Sequence, residues 1–214
     1  MARHTAPQLR GGTVTRAIVL VLGLAVFAAG IVALYEARLG LSPWDVLNQG
    51  IAKHTPLSFG EANIAVGVTV LVVAALLGAR IGPGTVANAV LIGTFVDVLL
   101  RIGSVQRLAT APLPARVGLL MLGVALMGIA TGLYVGASFG AGPRDSLMLV
   151  LSARTHVRIG IVRACLEAAA LAAGFALGGK VGIGTVVYVV AIGPAVEGSF
   201  ALLDRPPFLR VAST

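Results

Sequence analysis

The residues able to do chemistry in this chain are few, and they lie inside apolar sequence. Ser42-Pro43-Trp44-Asp45 is the most distinctive group, and Gly142-Pro143-Arg144-Asp145 follows it 100 residues later. Proline at the first helical position, serine before it and aspartate at the third residue make a helix start. Asp45 can accept backbone N–H bonds there and complements the positive end of the helix dipole. A short helix beginning at membrane depth can also aim its N-terminus at a small-molecule ligand, as the broken helices of transporters do. Asn48 and Gln49 would add hydrogen-bonding groups, whereas their counterparts Met148 and Leu149 are apolar. On this reading Ser42, Trp44, Asp45, Asn48, Gln49, Arg144 and Asp145 are candidate substrate-binding residues.

Ionisable side chains within apolar helices are costly and point to function. Glu167 lies in the middle of such a stretch with Arg163 one turn before it, so the two can pair on one helix face. Their counterparts are Gly67 and Asn63. Arg163 and Glu167 join the candidates, and an internal ion pair holding helices together is the competing account. Tyr188 matches Asn88, and Glu197 matches Asp97. Tyr188 is a candidate as well, while Asp97 is expected to snorkel or to pair with Arg101. Nine positions separate Asn88 from Asp97, about half a turn around a helix, so the two cannot line one face.

Other chemistries find little support. His4, His54 and His156 have no metal-ligand spacing with another histidine, cysteine or acid, and Cys165 is alone. No serine or cysteine has a base partner and no phosphate-binding loop is present. The expectation is of no enzyme, no metal and no cofactor. Gly82-Pro83-Gly84-Thr85 and Gly182-Ile183-Gly184-Thr185 can serve as tight turns with threonine caps, or as glycine loops for an anion.

These groups are set in a chain that is 57% hydrophobic and only 11% charged, with a mean hydropathy of +0.98. A soluble domain needs about a quarter of its residues charged. Runs of this kind must be helices in a bilayer, because every backbone polar group has to be satisfied within its own segment. The net charge of +8 comes from basic residues that recur between apolar runs. That spacing fits loops and lipid headgroups rather than nucleic acid. The apolar stretch from Ala17 is too long for a signal-peptide core, so it is expected to remain as a spanning helix.

Residues 16–100 aligned on 116–200 match at 23 of 85 positions. The matches include Arg16 with Arg116, Gly40, Pro43 and Asp45 with Gly140, Pro143 and Asp145, and Ile92-Gly93 with Ile192-Gly193. The fold class expected is therefore an all-α polytopic membrane protein made of two tandem repeats of roughly 100 residues, three long helices and one short broken helix in each. The helices are predicted at 17–37, 43–53, 59–78 and 84–100, and at 117–137, 143–153, 159–178 and 184–201. The organisation is a cytoplasmic tail 1–15, repeat 16–101, linker 102–115 with two prolines, repeat 116–203 and tail 204–214.

If the short helix crosses the membrane, the repeats are parallel; if it re-enters, they are inverted. With four crossings per repeat, eleven basic residues fall on the cytoplasmic side and four opposite; with three, nine and six. The positive-inside rule and the Arg16/Arg116 match favour parallel repeats, both termini cytoplasmic. The starts of all four short or glycine-led helices, with Arg144, would then form one anion-attracting vestibule. Gly128, Gly132 and Gly136 form a row permitting close helix approach, within the chain or at a homodimer face.

The stretches GLSPWDVLNQGIA, GARIGPGTVANAVLIGTFVDVLL and GKVGIGTVVYVVAIGPAVE resemble the bacterial YczE-like membrane proteins, related to the YitT family. The resemblance covers nearly the whole chain beyond residue 16 and implies an integral plasma-membrane protein with a transporter-like character. It supplies no substrate. A small-molecule permease with its ligand near the short helices is the first functional reading, and a non-transporting accessory protein scaffolding a partner complex is the alternative.

Overall fold

The computed structural model describes residues 12–203, and among them every regular element is helical. In order these are α1 (Thr13–Ala37), α2 (Pro43–His54), α3 (Phe59–Leu76), α4 (Pro83–Leu100), α5 (Gly103–Gln106), a 3-10 turn at Arg107–Thr110, α6 (Leu113–Gly136), α7 (Pro143–Thr155), α8 (Ile159–Ala176) and α9 (Ile183–Leu203). Long, short, long, long thus occurs twice, within a few residues of the predicted bounds. The expected linker 102–115 contains α5, the 3-10 turn and the first residues of α6. The tails before residue 12 and after residue 203 lie outside the described residues.

Among the described residues six helices are long and apolar enough to cross a bilayer: α1, α3, α4, α6, α8 and α9. The protein is an integral membrane protein, and α1 against α6 is its centre. Gly23 lies against Ala130, Leu133 and Tyr134, and Gly30 against Gly123 and Met127. Leu24, Ala28, Ile31 and Leu34 of α1 share one buried cluster with Leu120, Val124 and Met127 of α6. Rising numbers on one helix meet falling numbers on the other, so the two are antiparallel. Their ends are tied reciprocally. Arg16 Nε donates to the carbonyl of Ala137 at 2.9 Å and Arg116 Nε to that of Ala37 at 2.8 Å.

This corrects the parallel arrangement expected from charge counting. Between the starts of two antiparallel spanning helices the chain crosses an odd number of times, so α2 cannot be a crossing. Its 12 residues rise about 18 Å, against a hydrocarbon thickness of about 30 Å. α2 instead returns to the face it came from: Lys53 donates to the Gly178 carbonyl and Gln49 Oε1 accepts from Lys180 N, both in the α8–α9 turn. α7 does the same at the opposite face, where the Arg154 guanidinium lies beside Gly78. The charge count misled because Arg16 and Arg116 cap helix C-termini at opposite faces, and Arg144 is not in a loop.

The remaining spans are hung on this pair. Gly84 N donates to Phe139 O at 2.9 Å and Gly184 N to Leu39 O at 2.8 Å, so α4 starts at the end of α6 and α9 starts at the end of α1. Those two starts therefore lie at opposite faces, and the shared vestibule expected of them does not form. Gly82 N and Gly182 N donate to the hydroxyls of Thr85 and Thr185, so both glycine motifs are capped turns. Gly40 and Gly140, at φ of +127° and +122°, allow the chain to reverse into α2 and α7. Gly128 faces Ala195 and Gly132 faces Ser199 of α9, and Gly136 is buried. Gly128 and Gly132 of the row thus pack within the chain.

Single cysteines replacing Arg38, His54 or Lys180, in a chain with Cys165 changed to alanine, should react with an impermeant maleimide from one side of the membrane. Cysteines at Arg80 and His156 should react from the other. Labelling of position 54 from the side opposite position 38 would mean that α2 crosses.

Candidate functional site

α2 and α7 enter from opposite faces with their N-termini leading, and the two starts meet. The guanidinium carbon of Arg144 lies 4.9 Å from the centre of the Trp44 ring, a stacked cation–π contact. Proline at the first position of each helix removes an N–H that would have no partner. From the third position on, the two helices differ.

At α2 the start is closed. Ser42 Oγ accepts from Asp45 N at 3.3 Å and donates to Asp45 Oδ2 at 2.5 Å, and Asn48 Nδ2 donates to Asp45 Oδ1 at 3.3 Å. Ser42, Asp45 and Asn48 are fully buried, and Asn48 Oδ1 has no partner. At α7 the start is open. Gly142 supplies no side-chain cap, and Asn88 Nδ2 lies close to the space its missing Cβ leaves. Asp145, half-buried, accepts from the Tyr134 hydroxyl at 3.3 Å.

A cavity of about 150 Å³ lies against this open start. Arg144 and Asp145 of α7 line it with Arg163 and Glu167 of α8, Asn63 of α3, Asn88 of α4, Tyr134 of α6, Tyr188 of α9, and Trp44 of α2. Phe27, Ile31, Ile192 and Val196 supply apolar wall. Arg163 Nε and Glu167 Oε1 are 2.9 Å apart, the i, i+4 pair expected from sequence. Among the described residues Arg144 forms no ion pair. Asn63 Nδ2 has no hydrogen-bond partner although the residue is 5% exposed.

Of the ten candidates from sequence, Trp44, Arg144, Asp145, Arg163, Glu167 and Tyr188 come together on the cavity. Ser42, Asp45 and Asn48 form the closed knot behind Trp44. Gln49 is elsewhere, holding the turn before α9. Asn63, Tyr134, Thr131 and Phe27 line the cavity without having been singled out. Asn63 and Asn88 carried a signal, as the matches of Arg163 and Tyr188; Tyr134 carried none, since only the α1–α6 packing turns it toward Asp145. Asp97 does not pair with Arg101. It accepts from Ser58 Oγ and, at 2.8 Å, from Gly60 N, capping α3 from α4.

Residues 14–199 match a family of unknown function, DUF6198. A Haemophilus influenzae protein, described as uncharacterized, is 34% identical over 191 residues, 89% of this chain and 86% of its own. The uncharacterized membrane protein YczE of Bacillus subtilis is 34% identical over 174 residues, 80% of this chain and 79% of its own. The uncharacterized protein YyaS of the same organism is 25% identical over 186 residues, 86% and 92% of the two lengths. No solved structure matches.

Asp45→Ala should lower stability by about 2 kcal/mol or more, because it leaves the Ser42 hydroxyl and the Asn48 amide as buried donors without their acceptor. Asp145→Ala, with one hydroxyl partner and partial exposure, should cost about 1 kcal/mol. Thermal unfolding in detergent checks the order, and equal losses would show that the α2 knot has no special role.

Proposed function

The chain belongs to this family of unknown function, and we propose that it is a plasma-membrane permease for a small molecule, built from two inverted copies of one unit. The reciprocal ties of Arg16 and Arg116, and of Gly84 and Gly184, support a two-fold relation between the halves with its axis in the membrane plane. Inverted repeats with broken helices meeting at mid-depth are a recurrent transporter plan. With Arg144 set aside, six crossings leave eight basic residues on the side of the termini and six opposite, which supports both termini in the cytoplasm. Exposed apolar side chains such as Leu76, Phe175, Ile183 and Val190 meet membrane lipid.

The observation that carries transport is that the two copies of one helix pair differ. α3 and α4 are sealed: Gly60 lies against Gly93, and Asp97 caps the start of α3. At the matching level of α8 and α9, Gly160 and Gly193 have nothing within 4 Å of the space a side chain would take. Glycines suited to close approach are present there with nothing against them. Glu167 stands where Gly67 lets α3 approach Ala89. We read the cavity as opening on the α8–α9 side, where the helices are loosely packed, and as shut on the α3–α4 side. Exchange of the two arrangements would alternate access to it. In the exchanged state Glu197 would reach the start of α8 as Asp97 reaches that of α3. Arg158, in the place of Ser58, would make that contact an ion pair.

Proteoliposome uptake of a panel of small solutes is the test, run with Arg158→Cys/Glu197→Cys in a chain with Cys165 changed to alanine. Disulfide formation between positions 158 and 197, with loss of uptake that a reductant restores, is expected. No crosslink and no uptake of any solute would remove the permease reading. Recovery of a stoichiometric partner from native membranes would then favour the accessory role.

A further inference from the structure

We propose that the cavity binds a small monocarboxylate with a compact apolar body, its carboxylate held by Arg144 and Asn63 at the start of α7. The proposal rests on the reading of this cavity as a ligand site and adds the class of ligand.

Pairing off the polar groups of the wall leaves donors over. Glu167 is held by Arg163 and Asp145 by Tyr134. Besides Asn88 and Tyr188, which can each donate or accept, what remains is the Arg144 guanidinium, without an ion-pair partner among the described residues, and the α7 N-terminus, which Gly142 leaves without the hydroxyl that closes α2. The same cavity is lined by the Asn63 amide, 5% exposed and without a partner for its Nδ2. A buried amide donor with no acceptor costs free energy unless a ligand supplies one. A guanidinium fork beside a helix N-terminus is suited to a carboxylate. Stacking on Trp44 holds that fork in place.

Charge and size narrow the class. The two arginines and two carboxylates of the wall sum to zero, which tolerates one added negative charge far better than two. A cavity of about 150 Å³ is the size that accepts a six-carbon ring in an engineered protein core. Phe27, Ile31, Ile192 and Val196 give the body of such a ligand an apolar surface. Asn63 and Gly142 differ in type from their counterparts Arg163 and Ser42, so the donor set exists once, not twice.

Trp44 is the single tryptophan of the chain, so its fluorescence reports on this cavity alone. Sodium butyrate titrated into the detergent-purified protein should give a saturable change in emission and raise the apparent Tm. Butylammonium, butyramide and inorganic phosphate should do neither. Arg144→Gln and Asn63→Leu should each weaken butyrate binding at least tenfold, and Arg144→Lys should recover part of the loss. If Arg144→Gln fails to fold, Asn63→Leu decides. No saturable response to butyrate, or an equal response to butylammonium, overturns the proposal. Butyrate binding without uptake of any solute leaves this site and removes transport; uptake of another solute without butyrate binding removes only the ligand class.

Discussion

α1 and α6 touch backbone to backbone over most of their length. In lipid there is no hydrophobic drive to bring helices together, so contact of this kind relies on close packing and on satisfied polar groups. Gly23 and Gly30 on one helix and Gly123 on the other bring the axes close, and leucine, alanine and methionine fill the spaces between. The last carbonyls of a helix have no intrahelical partner, and at the membrane boundary few waters can serve them. Arg16 and Arg116 donate to those carbonyls from the opposite helix. Because each arginine reaches the end of its neighbour, the pair is held antiparallel. That direction sets the places of the other spans, since α4 and α9 begin by donating to Phe139 and Leu39 at the ends of the same two helices.

Once α1 and α6 oppose one another, the short helices cannot be passages. They must return, and their starts are carried inward from opposite faces until Trp44 meets Arg144. Polar backbone at that depth is tolerable only when protein surrounds it. α2 meets the requirement with the Ser42–Asp45–Asn48 knot. α7, with Gly142 in place of the serine, meets it less completely and leaves its start on a cavity. One change of residue type at an N-cap thus separates a structural helix start from one with donors to offer.

The halves also part company between the packed pair α3 and α4 and the matching pair α8 and α9. Gly67 lets α3 lie on α4, while α8 carries Glu167, paired with Arg163, at the matching position, and Gly160 and Gly193 have nothing packed against them. The cavity itself is central, lined by Asn63 and Asn88 from one half and by Arg144, Arg163 and Glu167 from the other. A fold whose paired parts are alike would have no preferred opening. In the proposed permease, the substitutions that break the likeness supply one.

The sequence determined that this is a helical membrane protein and where its helices lie, because the bilayer demands apolar runs of a set length and proline, serine and glycine punctuate them. It also placed Asp45 and Asp145 at helix starts, and Arg163 on Glu167, since those contacts span at most four residues. Direction was beyond it. A charge count treats each arginine as a loop charge, and only the packed structure shows Arg16 and Arg116 reaching across to cap another helix. The membership of the cavity was equally out of reach. Tyr134, Asn63 and Phe27 look like ordinary members of apolar helices until α1, α3 and α6 are set around the two short helix starts, whereas Gln49, polar and near the motif, is turned to Lys180. Spacing along one helix can be read locally, but which faces of different helices meet depends on the packing of the whole bundle, and that only the tertiary structure decided.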